Sequence, residues 1–121
     1  MREFLNITKA LSDPARVRVL LALREGELCL CHFIALLKLS PSTVSKHLDL
    51  LYQAGLVERR KEGRWCLFRL AGRDAEPAVR SALRWVEAAL AKSPEARADA
   101  TRVARLRNAD LKELACCYKG S

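Results

Sequence analysis

Apolar residues recur along this chain at spacings of three and four, in a succession of short helical segments. Residues 3–11, "EFLNITKAL", place Phe4, Ile7 and Leu11 on one helical face. Ser12 or Asp13 then offers an N-cap, with Pro14 in the first turn of a second helix. That helix turns Val17, Leu20, Leu21 and Leu23 toward a core, is expected to show Arg16, Arg18 and Arg24 to solvent, and stops at Gly26. Leu30, Phe33, Ile34 and Leu37 predict a third helix from about residue 29 to 38, ended by "KLS". Ser40 and Pro41 open a fourth, whose apolar stripe of Val44, Leu48, Leu51 and Tyr52 runs down to Gly55. Its opposite face is polar throughout: Ser42, Thr43, Ser45, Lys46, Asp49 and Gln53.

The period then changes. In "LVERRKEGRWCLFRL", β-branched and aromatic residues flank a "KEGR" turn, which predicts a β-hairpin. Its tip is basic, Arg59, Arg60, Lys61 and Arg64 outnumbering Glu58 and Glu62. Helical spacing returns over residues 74–91 in Val79, Leu83, Val86 and Leu90, with Trp85 alongside. Ser93 and Pro94 open a further helical stretch over 95–107, and "NADLKELACCYKGS" reads as a last short helix or a loose tail. There is no internal repeat and no low-complexity segment.

With 121 residues the chain holds one modest core, so a single domain with appendages is expected. Neither an 18-residue uncharged apolar run nor an N-terminal leader is visible, which predicts a soluble, cytoplasmic protein with no membrane partner. The net charge of +8 favours a polyanion, since each Lys or Arg at a phosphate releases condensed counterions. Five cysteines, an odd number, in C-x-C and C-C arrangements with Cys66 between, make a poor disulfide framework. Reduced thiols, free or metal-bound, fit better.

Two short helices joined by about three residues, the second N-capped and rich in small polar groups, followed by a basic hairpin, make a winged helix-turn-helix. The expected fold is mainly α, with a two-stranded β-wing and terminal helices. In such units the start of the second helix meets base edges in the major groove. Ser42, Thr43, Ser45 and Lys46 are the candidates for bases and nearby phosphates, with His47 peripheral, in packing or at a phosphate. From the wing, Arg60, Lys61 and Arg64 are expected at phosphates. No catalytic constellation and no phosphate-cradling glycine loop is visible, so an enzyme is not expected.

The motifs "ELC-x-C", "VSKHL-x-x-L-x-x-AGLV" and "R-x-EGRW-x-x-(F/Y)-x-L" over residues 1 to about 92 resemble the ArsR/SmtB family of metal-responsive repressors, and its arsenic repressors in particular. The resemblance implies a homodimer built on the terminal helices, here 3–11 and 74–91. It also implies a two-fold double-stranded DNA operator that is released when an inducer arrives. On this reading residues 1–92 form the DNA-binding and dimerisation domain, and 93–121 a C-terminal helical extension or tail carrying Cys116 and Cys117.

Thiolates are the soft donors here, and As(III) and Sb(III) prefer them to oxygen. Cys29 and Cys31 supply two. The arsenic-repressor pattern resembled runs C-x-C-x-x-C, but the third position in this chain is Ile34. Either Cys116 or Cys117 completes the site, or a two-thiolate site takes a monomethylated trivalent arsenical. The zinc sites of this family lie on the long C-terminal helix and need histidines there, whereas His32 and His47 lie elsewhere. Cadmium and lead sensors add N-terminal cysteines, and "MREFLNITKALSDPAR" has none. Alternatives are a thiol redox switch, a cadmium or lead sensor, and a metal scavenger. Cys66 reads as a small strand residue. On a regular helix, residues two apart diverge by about 200°, so Cys29 must precede the helix or its first turn must unwind for both thiols to hold one ion.

Overall fold

A computed structural model of the chain describes residues 1–109. The elements are α1 (Arg2–Ala10), α2 (Pro14–Ala22) and a 3₁₀ turn (Leu23–Glu25), then β1 (Leu28–Cys29), α3 (Leu30–Leu37) and α4 (Pro41–Gln53). The chain continues through β2 (Val57–Glu62), β3 (Trp65–Leu70), α5 (Pro77–Leu90) and α6 (Pro94–Arg107). The helical periods of the sequence are thus realised, and the fold is a winged helix-turn-helix. Asp13 is the cap of α2, accepting from the Ala15 N–H at 2.8 Å. Ser40 and Ser93 cap α4 and α6 through the Thr43 and Ala96 N–H groups, each followed by proline at the first helical position. Each such cap is worth about 1 kcal/mol of helix stability.

The two-stranded wing is present as the β2–β3 hairpin, and β1 adds a short third strand to its sheet, so that the antiparallel order is β1-β3-β2, with Leu28 opposite Phe68 and Cys29 opposite Leu67. Two residues are too short a run for strand periodicity to register, and the preceding Gly26, at φ 129°, is what turns the chain back toward the hairpin. One expectation is corrected: Arg16 is not shown to solvent. It is buried, because the C-terminal carbonyls of α1 need donors and its guanidinium reaches them.

The core joins Val19 of α2, Phe33 of α3, Val44, Leu48 and Leu51 of α4, and Leu56, Val57 and Phe68 around the sheet. Phe33 meets Phe68 edge-on, ring centroids 6.3 Å apart, fastening the first helix of the helix-turn-helix to the wing. Helix α6 packs on α2 and α3 and contributes Ala96 and Val103. It also brings in Asp99, 3% exposed, which Arg18 grips with two hydrogen bonds of 2.8 and 3.0 Å while Arg102 supports it at 3.2 Å. The planar fork of Arg matches the carboxylate, so two charges share one site and a buried anion is never left bare.

On the outer surface, Phe4 and Leu5 of α1 and Trp85 and Leu90 of α5 remain exposed, the tryptophan at 67%. These are the helices expected to meet a second subunit.

Removing one partner from the α6 tie leaves a desolvated charge behind. The Arg18→Leu variant is expected to lose about 3 kcal/mol of stability in urea denaturation, and Arg18→Leu combined with Asp99→Leu to recover most of it. A double variant no more stable than the single one would show that the apolar replacement does not fit.

Candidate nucleic-acid interface and thiol pair

Two pieces of local structure meet around α3 and α4. The first is the polar face of α4. Ser42, Thr43, Ser45 and Lys46 are all exposed on its N-terminal half, as their spacing predicted. Ser40 Oγ donates to Thr43 Oγ1 at 2.8 Å while accepting from the Thr43 N–H, which orders the start of the helix. His47, one residue beyond Lys46, is half-buried, its Nδ1 3.1 Å from an Arg16 Nη1.

The wing stands beside this face. Register fixes which wing cations share it: Arg59 pairs with Phe68 and Lys61 with Cys66, so both point to the α4 side, and Arg60 points away. A cleft of about 350 Å³ opens there, lined by Ser45, Lys46, Asp49, Arg59 and Cys66 among others. Arg59 lies 3.8 Å over the Tyr52 ring and 3.6 Å from the Asp49 carboxylate. Arg60 is not brought to this surface; Glu27 holds it bidentately at 2.8 and 2.9 Å, with Glu62 at 3.2 Å. The Arg60 guanidinium keeps the Glu27 carboxyl below the usual carboxylate range. Arg64 sits at the tip, in the two-residue turn it forms with Gly63 (φ 60°), its guanidinium 5.0 Å over Trp65. From sequence, Arg59 counts among the basic residues of the hairpin but not among those expected at phosphates; counting by twos from Val57, the buried end of β2, puts it on the same face as Lys61.

The second piece is the thiol pair. Cys29 has extended backbone (φ −83°, ψ 156°) and is both the last residue of β1 and the N-cap of α3. It therefore precedes the helix proper, and the 200° divergence of a regular helix does not apply to it. Cys29 and Cys31 are fully buried and linked by a side-chain hydrogen bond. That bond and burial push the Cys31 thiol well up from its ordinary value. His32 Nδ1 accepts the Cys29 N–H at 2.9 Å, the part a Glu or Gln plays in a capping box. Burial, with Arg107 nearby, keeps His32 below the usual imidazole range, so the ring is neutral and able to accept. Arg107, at the end of α6, donates to the carbonyls of Gly26 and Glu27 at 2.9 and 3.0 Å. Cys66, half-buried on β3, is raised chiefly by burial, with Arg59 and Lys61 opposing. Among the described residues no group of three or more His, Cys, Asp or Glu converges. Cys116 and Cys117 lie outside the described residues.

Comparison with known proteins adds to this geometry. Residues 13–59 match the model of the bacterial regulatory proteins of the arsR family. The chain is 43% identical over 74 residues to the arsenic resistance transcriptional regulator ArsR1 of Pseudomonas putida, covering 58% of each chain. It is 31% identical over 118 residues to ArsR2 of the same organism, an arsenic resistance transcriptional regulator too, covering 93% of this chain and 96% of that one. Among solved structures, the homodimeric winged helix-turn-helix DNA-binding domain of a possible ArsR-family regulator from Mycobacterium bovis superposes with a TM-score of 0.62 at 28% identity, covering 73% of this chain and 78% of that one.

The burial and raised protonation range of Cys31 have a direct chemical consequence, because the thiolate is the nucleophile. With folded protein at pH 8, iodoacetamide is expected to modify Cys31 at least ~10-fold more slowly than an unperturbed thiol, and at the ordinary rate once urea unfolds the chain. Peptide mass mapping reads both rates; equal rates in the two states would contradict the buried pair.

Proposed function

The chain belongs to the arsR family of bacterial regulatory proteins, and we propose that it is the repressor of an arsenic-resistance operon in the cytoplasm. In this reading it binds a two-fold operator as a homodimer and leaves it when As(III) or Sb(III) is held by cysteine thiolates. The observation that carries the reading is the position of the buried Cys29–Cys31 pair: one thiol belongs to the wing's sheet and the other to the helix packed on α4.

DNA recognition falls to Ser42, Thr43, Ser45 and Lys46 in the major groove, with His47 at the backbone. The wing contributes Lys61 and Arg64, joined by Arg59 on the same face. Arg60 gives up the phosphate role that its charge suggested and acts through Glu27, bracing the turn before the cysteines. The exposed apolar residues of α1 and α5 support the dimer, which would set two recognition helices about one turn of DNA apart.

Inducer binding starts from protonated thiols, so each thiolate–arsenic bond releases a proton. Cys29 and Cys31 supply two donors, and Cys116 or Cys117 the third. Arg107 anchors the end of α6 beside Gly26 and Glu27, and Cys116 follows nine residues later, a stretch able to span up to about 30 Å. With a monomethylated arsenical the first two thiolates suffice. Ligation draws Cys29 and Cys31 into one coordination sphere in place of their mutual hydrogen bond. That strains the β1–β3 pairing on one side and the first turn of α3 on the other. Both support the surface that meets DNA, so operator affinity falls.

Gel-shift titration of a candidate operator with arsenite, antimonite, zinc, cadmium and peroxide tests the effector. Arsenite and antimonite are expected to release the wild type, and Cys29→Ser and Cys31→Ser to keep DNA binding while losing release; release by peroxide alone would sink the reading. Cys116→Ser with Cys117→Ser is expected to weaken the arsenite response, and an unchanged response would remove the tail from the site. On the wing, Lys61→Ala should weaken binding for all sequences and flatten the salt dependence by about 0.9, whereas Arg60→Ala leaves the slope alone. An Arg60→Ala slope change as large as that of Lys61→Ala would return Arg60 to the phosphates.

A further inference from the structure

Arg16 is one of two buried charged residues among those described, and nothing in the function above uses it. Its Nε donates to the Ala10 carbonyl at 2.9 Å and an Nη2 to the Lys9 carbonyl at 3.0 Å, both at the C-terminal end of α1. The remaining arm, Nη1, lies 3.1 Å from His47 Nδ1 on the recognition helix. A guanidinium carries donors only, so in this contact Nδ1 must be the acceptor. A neutral imidazole that accepts at Nδ1 carries its proton at Nε2. A second proton on Nδ1 would abolish the bond and set two cations against each other at 3.1 Å.

We propose that Arg16 is a positioning residue for DNA binding: it locks His47 in the Nε2–H tautomer, so that the ring gives a neutral hydrogen bond to a phosphate oxygen of the operator. The inference rests on the DNA-binding reading and deepens it. Its arrangement also ties the recognition helix to the end of α1, so the ring is held from a helix whose other face is expected at the subunit interface. Lys46, exposed beside His47 on α4, supplies the charge; His47 supplies direction.

Two measurements test this, one of them without DNA. In the free protein at pH 8, ¹⁵N resonances of the histidine side chains, assigned with His47→Gln, should show His47 in the single Nε2–H form. In Arg16→Met the Nδ1 resonance should move toward the protonated range as the second tautomer becomes populated. If Arg16→Met fails to fold, Arg16→Lys serves, since one ammonium cannot span both carbonyls and the ring. An unchanged tautomer would overturn the positioning role. The second measurement is operator affinity against salt. His47→Ala should weaken binding roughly 10-fold or more with the salt slope unchanged, because a neutral donor displaces no counterion. His47→Gln, which keeps a donor at that reach, should bind nearly as wild type. A slope reduced by about 0.9 in His47→Ala would mean a cationic contact and overturn the proposal. Wild-type protein that binds no operator would instead defeat the DNA-binding reading, and the phosphate contact with it, leaving the tautomer to be judged from the free protein.

Discussion

One backbone position holds the two halves of this protein together. At Cys29 the chain ends a strand and begins a helix, and its extended conformation lets a single residue pair with Leu67 of the wing and cap α3. The conformation depends on two neighbours. Gly26 turns the chain back at a φ that a side chain would oppose, and His32 takes up the N–H that an N-terminal helix turn leaves unpaired. Once that junction is set, the wing cannot shift against α3 without breaking the strand pair, and α3 cannot shift without disturbing α4. A thiol pair placed there is mechanically joined to both the wing and the helix packed on α4.

Arginines carry the rest of the organisation, and they do so by spending their charge internally. Arg16 closes the end of α1, Arg18 brings α6 onto α2, Arg60 joins the wing to Glu27, and Arg107 joins α6 to the same turn. Each uses the fixed geometry of the guanidinium on carbonyls or a carboxylate, which a lysine cannot reproduce. The positive charge facing outward near α4 is therefore smaller than the composition suggests, and more sharply placed: Lys46, Lys61 and Arg64, with Arg59 held between Tyr52 and Asp49, rather than every cation of the hairpin.

Much of this was legible beforehand. The helices follow from apolar spacing, and their starts from Asp13, Ser40 and Ser93, because period and capping are local properties of the chain. The polar face of α4 was legible for the same reason. Charge alone treats the wing's neighbours alike; strand parity separates Arg59 and Lys61 from Arg60, and the pairing with β3 decides which side is which. A helical wheel sees only its own helix and so predicts Arg16 in solvent, while the carbonyls it serves belong to α1. The third strand is invisible to periodicity because two residues carry no period.

By itself, then, the sequence determined the element order, the caps, the presence of two thiols one residue apart and the polar face of α4, since each depends on residues within a few positions of one another. Only the tertiary structure decided that Cys29 belongs to the wing as well as to α3, that α6 ends beside it, and that Arg16 reaches His47. Those contacts join residues 31 to 81 positions apart, and which partner a buried donor finds across such distances is set by packing, where every burial of a polar group requires a partner wherever the fold can supply one.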